Sequence, residues 1–164
     1  MEPAHTTTLY LFCGKIAAGK STLARRLAER PATLLITMDH WMSNLFPTEN
    51  RTIEDFSRLS ARLRAAIGPH VVDILRHDLS VVLDFPANTL SWRSWMRSLI
   101  TDAGVAHELH LLDLPDTICK QRLLQRNADG KHPYQVSDET YDLFTSYFVH
   151  PTASEGFNVV IHTS

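Results

Sequence analysis

The segment Gly14-Lys15-Ile16-Ala17-Ala18-Gly19-Lys20-Ser21 carries the most definite chemistry in the chain. It has the form G-x-x-x-x-G-K-[ST], the pattern of a phosphate-binding loop. Gly14 and Gly19 allow backbone angles that a Cβ would obstruct. The N–H groups of Lys15, Ile16, Ala17 and Ala18 can then turn inward around an anion. A helix starting near Lys20 adds the positive end of its dipole. Lys20 is expected to reach the β- and γ-phosphates of ATP, Ser21 to ligate Mg2+, and Thr22 to meet the α-phosphate. The Lys15 side chain occupies a variable position of the pattern and is expected to be solvated.

Phosphoryl transfer also needs a second group on the metal side and a base for the incoming hydroxyl. Asp84 ends the apolar run Ser80-Val81-Val82-Leu83, and is expected to hold a water on Mg2+ opposite Ser21; a helix-capping or loop Asp is the alternative. Asp39 follows Leu34-Leu35-Ile36 and Thr37. At a strand end facing the ligand crevice it can accept the substrate proton; otherwise it is a solvated turn residue. His40, Trp41, Met42, Leu45 and Phe46 lie beside it, as walls of an acceptor pocket with Trp41 suited to stacking, or as cover for the core edge. The nine His are scattered, and His107 and His110 fall on opposite faces of a predicted strand, so a zinc site is not expected.

Arg122 and Arg126 stand four apart on one helix face, just before a polar segment over 127–135. Guanidinium groups there can neutralise charge on a transferring phosphoryl group while a lid over about 126–137 excludes water. The alternative is a solvated face, salt-bridged to Asp129 or a neighbour. Arg93 points to the acceptor side or lies on an ordinary helix surface.

These groups need a scaffold that brings separate strand ends together. Leu9–Cys13 reads as a strand buried on both faces, Ser21–Arg30 as a helix stopped by Pro31, and Leu34–Ile36 as a second strand. Ile53, Phe56, Leu59, Leu63 and Ile67 form an amphipathic helical stripe, with Thr52 and Asp55 as a weak cap. Gly68-Pro69 is expected to break it, and a second helix to run up to Asp78. A strand ending on Asp84, a helix over Ser91–Ala103, a strand over Val105–Leu112, helices from Pro115 to Arg126 and from Asp138 to Phe148, and a strand over Phe157–Ile161 complete the series. Strand and helix alternate about five times, which points to a parallel sheet covered on both faces.

The chain has 164 residues, enough for one domain and too few for two independent cores. Its 44% hydrophobic and 21% charged content is that of a globular protein, not of a disordered tail, collagen or coiled coil. A formal charge of −2 argues against gripping a nucleic-acid duplex through overall charge. Two cysteines, Cys13 and Cys119, cannot make a disulfide scaffold. Met1–Thr8 lacks the charged and apolar regions of a signal peptide, so the expected compartment is the cytoplasm. No apolar run approaches the about 18 residues of a membrane span, and no membrane partner is expected. Oligomeric state is not legible.

The ordered set Gly14–Ser21, Asp39, Val81-Val82-Leu83-Asp84 with Asn88 and Arg93, Arg122-x-x-x-Arg126-Asn127, and Pro151-Thr152-x-x-Glu155-Gly156-Phe157 resembles a family of small bacterial P-loop kinases and ATP-binding proteins. Its relatives include the 5′-kinase domain of polynucleotide kinase, chloramphenicol phosphotransferase and, more distantly, zeta toxins. The resemblance implies a three-layer α/β nucleotide-kinase fold with a five-stranded, mostly parallel sheet, a short lid and Mg-ATP as donor. It makes Asp39 the proton acceptor and Arg122 and Arg126 lid arginines, and puts Glu155–Phe157 near the adenine. Polynucleotide kinases follow their equivalent of Asp39 with a basic residue that grips substrate phosphate. Here His40-Trp41-Met42 follows, with no Arg or Lys until Arg51. This disfavours a nucleic-acid acceptor and favours a small, partly apolar hydroxyl compound. A 5′-hydroxyl nucleic-acid kinase and a non-catalytic ATP-binding switch are the competing readings. A GTPase is disfavoured, since no Asn/Thr-Lys-x-Asp motif is present.

Overall fold

Residue periodicity and strand pairing build the fold in the computed structural model, which describes residues 4–130 and 135–164. The strands are β1 (Thr8–Gly14), β2 (Thr33–Thr37), β3 (Ser80–Pro86), β4 (Ala106–Leu112) and β5 (Val159–His162). The helices are α1 (Lys20–Ala28), α2 (Met38–Leu45), α3 (Ile53–Arg76), α4 (Leu90–Ala103), α5 (Asp116–Asp129) and α6 (Asp138–Ser146). The strands form one sheet in the order β2-β3-β1-β4-β5. Every pairing is parallel, where the sequence led us to expect mostly parallel pairing. All five carboxyl ends therefore open on the same edge.

β1 is central, and every one of its residues is buried. Alternate side chains serve opposite layers. Leu9, Leu11 and Cys13 join one cluster with α3 and α4. Tyr10 and Phe12 pack with Ala24 and Leu27 of α1 on the other face. There, Leu112 and Leu114 meet Cys119 and Leu123 of α5 and Tyr141 of α6. The result is three layers.

Two elements depart from expectation. Gly68-Pro69 does not break α3, which runs on through Pro69 to Arg76. A helix-interior proline costs about 3 kcal/mol. Leu59, Leu63, Ile67, Val71, Val72 and Leu75 are all buried along the same helix, and each such side chain contributes about 1.5–3 kcal/mol. Pro69 and Ala65 both face solvent, where water can satisfy the freed Ala65 carbonyl. Gly68 lets α4 approach: a Cβ there would lie 3.3 Å from Trp95 Nε1. The Thr52–Asp55 cap is a full capping box. The second departure is α2, which begins directly after β2 and sets Asp39 in a first helical turn.

Candidate active site

The phosphate loop connects β1 to α1. Gly19 has φ 105, a conformation that L side chains avoid, and Ala17 also takes a left-handed φ of 64. Gly14 serves differently. It is buried beneath the loop, and a Cβ would lie 3.1 Å from the Leu112 carbonyl oxygen. Its N–H donates to Asn88 Oδ1 at 2.9 Å and its carbonyl accepts from Asn88 Nδ2 at 2.9 Å. One side-chain amide thus anchors the start of the loop. α1 has no side-chain cap and no acid in its first turn, whereas side chains cap α3, α4 and α6. Its first N–H groups are left to an anionic ligand.

Lys15, Ile16, Ala17, Ala18, Gly19, Lys20, Ser21 and Thr22 line one cleft of about 1390 Å3 along the carboxyl edge of the sheet. Lys20 Nζ donates to the Gly14 carbonyl and, at 2.8 Å, to the Lys15 carbonyl. Burial pulls its pKa down, and the Asp84 carboxylate partly opposes this. Lys15 is not simply solvated: its Nζ pairs with Asp116 Oδ1 at 2.8 Å. Tyr141 donates to the same oxygen at 2.8 Å, which ties the loop to α5 and α6.

Ser21 Oγ donates to Asp84 Oδ2 at 2.8 Å. Burial raises the Asp84 pKa, the Ser21 hydrogen bond opposes the rise, and the charge of Asp39 adds to it. A hydroxyl and a carboxylate facing a phosphate loop are hard oxygen donors suited to Mg2+, which takes few protein ligands and completes its shell with phosphates and water. Among the described residues no group of three or more His, Cys, Asp or Glu is arranged to hold a metal. Asp39 lines the cleft, close enough for its charge to act on Lys20, Asp84 and Arg126.

Arg122 and Arg126 both reach this cleft from α5. Arg122 Nη1 donates to the Ala18 carbonyl at 3.3 Å. Among the described residues Arg126 Nε is buried with no hydrogen-bond partner, and burial lowers the pKa of its guanidinium while Asp39 opposes that. Of the expected lid, 131–134 lies outside the described residues. On its flanks, Asn127 Nδ2 donates to the Val136 carbonyl at 2.7 Å, and Val136 N–H donates back to Asn127 Oδ1 at 3.3 Å.

Several residues lie elsewhere than expected. Trp41 is 40% exposed and does not line the cleft, nor do Leu45 and Phe46, while His40 and Met42 do. The aromatic wall is instead Phe56, Trp92 and Phe144, with Phe56–Trp92 centroids 6.5 Å apart and Phe56–Phe144 6.1 Å apart. Arg93 neither points to an acceptor nor sits on the surface. It is 1% exposed, pairs with Glu155 Oε1 at 2.6 Å, and donates to the Ala87 and Val149 carbonyls. Phe157 packs on His107 towards the amino end of β4, while Glu155 is tied back to the carboxyl edge through Arg93, which also donates to the Ala87 carbonyl. The β5 end brings His162 to the cleft. Sequence reasoning also missed the anchoring role of Asn88 and the α3 face Phe56, Ser57, Ser60 and Arg64. The spacing of three and four along that face was the available signal.

The same fold occurs in solved structures of low sequence identity. A candidate kinase from Chloroflexus aurantiacus superposes with TM-score 0.75 at 20% identity, covering 98% of this chain and 87% of that one. The Mycobacterium tuberculosis APS kinase CysC, in complex with AMPPNP and APS, gives 0.64 at 17% identity, covering 98% and 90%. A gluconokinase from Sinorhizobium meliloti 1021 gives 0.63 at 15% identity, covering 98% and 84%. No curated protein matches the sequence. Residues 9–151 match the family AAA_33, described as an AAA domain. With its phosphate loop on an all-parallel, helix-covered sheet, the chain belongs to this family of P-loop kinase-like proteins.

Proposed function

We propose that the protein is an ATP- and Mg-dependent phosphotransferase that moves the γ-phosphoryl group to a hydroxyl of a small molecule. The observation that carries this reading is the meeting of Asp39, Lys20, Ser21, Asp84 and Arg126 in one cleft with an aromatic-walled compartment beside them. A carboxylate at the acceptor side of the loop is the group that phosphoryl transfer to a hydroxyl requires. The structural neighbours that act on small molecules, the APS kinase and the gluconokinase, support the same reading.

In this proposal the loop N–H groups and the α1 terminus bind the phosphates. Lys20 exchanges the Gly14 and Lys15 carbonyls for β- and γ-phosphate oxygens, whose negative charge favours its protonated form. Ser21 and Asp84 hold Mg2+, which when bound would neutralise β- and γ-phosphate charge. Asp39 takes the proton from the acceptor hydroxyl as that oxygen attacks the γ-phosphorus and the bond from it to the β-phosphate oxygen breaks, leaving ADP. Arg122 and Arg126 stabilise the charge spread over the transferring oxygens. The aromatic wall keeps water from competing as acceptor.

Labelled Mg-ATP incubated with a panel of small hydroxyl compounds and a 5′-hydroxyl oligonucleotide tests the proposal. Transfer to a small hydroxyl compound is expected. Slow hydrolysis with no labelled product from any compound, or transfer to the oligonucleotide alone, would contradict it.

A further inference from the structure

The buried side-chain nitrogen and oxygen atoms without a hydrogen-bond partner among the described residues are Arg64 Nε, Arg126 Nε and Thr145 Oγ1. All three residues line the same cleft. Leaving a buried polar group unpaired costs about 1–3 kcal/mol, and more when it is charged. Folded proteins therefore contain few of them, and each calls for an explanation. Three converging on one cavity from α3, α5 and α6 point to a polar occupant.

Arg126 and Arg64 differ in their surroundings. The Asp39 carboxylate acts on Arg126, which places it at the reacting end. Arg64 is affected by burial alone; no carboxylate contributes to its pKa shift. The carboxylates lining the cleft, among the described residues, are Asp39 and Asp84. The Arg64 guanidinium lies over Trp92, 4.3 Å from the ring centroid, with Trp95 at 6.0 Å. Such a contact holds the guanidinium in place without using its N–H donors. A guanidinium held over an indole ring, half-buried and with no carboxylate of the described residues acting on it, is prepared for a carboxylate or phosphate, which it can grip through two parallel hydrogen bonds.

We infer that the acceptor is an anionic hydroxyl compound, whose carboxylate or phosphate is held by Arg64 while its hydroxyl reaches Asp39. This rests on the phosphotransferase reading and refines it. The apolar stretch between the two ends lies along Phe56, Trp92 and Phe144, with Thr145 offering a hydroxyl to the same molecule. Arg64 thereby becomes a specificity residue, replacing the basic residue missing after Asp39 from a different helix.

The test compares labelled transfer to matched acceptors: glycerate against glycerol for the carboxylate, and ribose 5-phosphate against ribose for the phosphate. Wild-type protein, Arg64→Gln and Arg64→Lys are used, with circular dichroism confirming the fold of each. In at least one pair the anionic member is expected to have at least about tenfold higher kcat/KM. Arg64→Gln should erase that preference through KM, and Arg64→Lys should restore part of it. Equal use of both members by the wild type, or a preference that survives in Arg64→Gln, overturns the inference. A second readout does not need turnover. Protein loaded with Mg2+ and a non-hydrolysable ATP analogue is titrated with acetate and with sulfate at constant ionic strength while tryptophan fluorescence is followed. A saturable change that disappears in Arg64→Gln supports the anion site; no saturable change in the wild type at tens of millimolar overturns it. Transfer to neutral acceptors without anion binding would sink the anion site and leave the phosphotransferase standing. Anion binding with no transfer to any acceptor would do the reverse.

Discussion

The two ends of the cleft are built on opposite plans. At the phosphate-loop end the side chains already have protein partners, while backbone N–H groups at the start of α1 are left open: Asn88 holds Gly14, Ser21 holds Asp84, Lys20 rests on two loop carbonyls, and Arg122 touches Ala18. At the acceptor end Arg64 and Thr145 each have a buried polar atom without one among the described residues, as has Arg126 where the two ends meet. The first arrangement is preorganised, so that binding triphosphate exchanges existing hydrogen bonds for stronger charged ones. The second keeps an unsatisfied demand that an acceptor meets. Donor recognition then costs little reorganisation, while acceptor recognition carries the selectivity, because a molecule without matching groups leaves buried donors unpaired.

Substitutions can break this contrast at chosen points. The largest effect is expected from Lys20→Ala, which removes the cation that follows the transferring phosphoryl group. Turnover should fall by about 10³-fold or more with circular dichroism unchanged. Asp39→Asn acts where the two ends meet: ATP should still bind, with kcat down by about 10²-fold. Wild-type turnover in Asp39→Asn would remove it as the base. Asn88→Ala tests the preorganisation itself. It leaves the Gly14 N–H and carbonyl without their partner, so stability should fall by about 1–3 kcal/mol and KM for ATP should rise, while the Arg64-dependent acceptor preference persists.

The smallest effect concerns Asp84. Its folded pKa is raised by burial, so proton binding favours the folded state. That contribution is present at low pH and is lost as pH rises through the raised value, above which the charged carboxylate is a penalty. Asp84→Asn should therefore stabilise the ligand-free protein at neutral pH by roughly 0.5–2 kcal/mol, and less at acid pH, while weakening Mg-dependent transfer. In the wild type, kcat/KM for Mg-ATP, which reports groups of the ligand-free protein, should fall on acidification at a higher pH than an ordinary carboxylate would give. A denaturation series against pH and a pH–rate profile measure the two.

The same contrast decides what could be seen in the sequence. The loop is eight consecutive residues whose types are dictated by backbone sterics and phosphate charge, so Gly14–Ser21 identifies itself. The parallel sheet followed from short apolar runs alternating with helical stripes. The acceptor wall was hidden because Phe56, Trp92 and Phe144 come from three helices and meet only after folding. Trp41 sits beside Asp39 in sequence, yet α2 turns it outward. Arg93 shows the limit of reading charge alone: a residue that looks like a surface or substrate arginine becomes a buried tie to Glu155. Pro69 was over-weighted because local propensity does not include the apolar area that the rest of α3 buries.

Calorimetric titration with Mg-ATP, followed by the same titration of Lys20→Ala, tests the central claim most directly, since every proposed role requires a triphosphate seated in the loop. Saturable heat with 1:1 stoichiometry in the wild type, strongly weakened in the variant, is the predicted result. No saturation at millimolar nucleotide, or equal binding by Lys20→Ala, would contradict it.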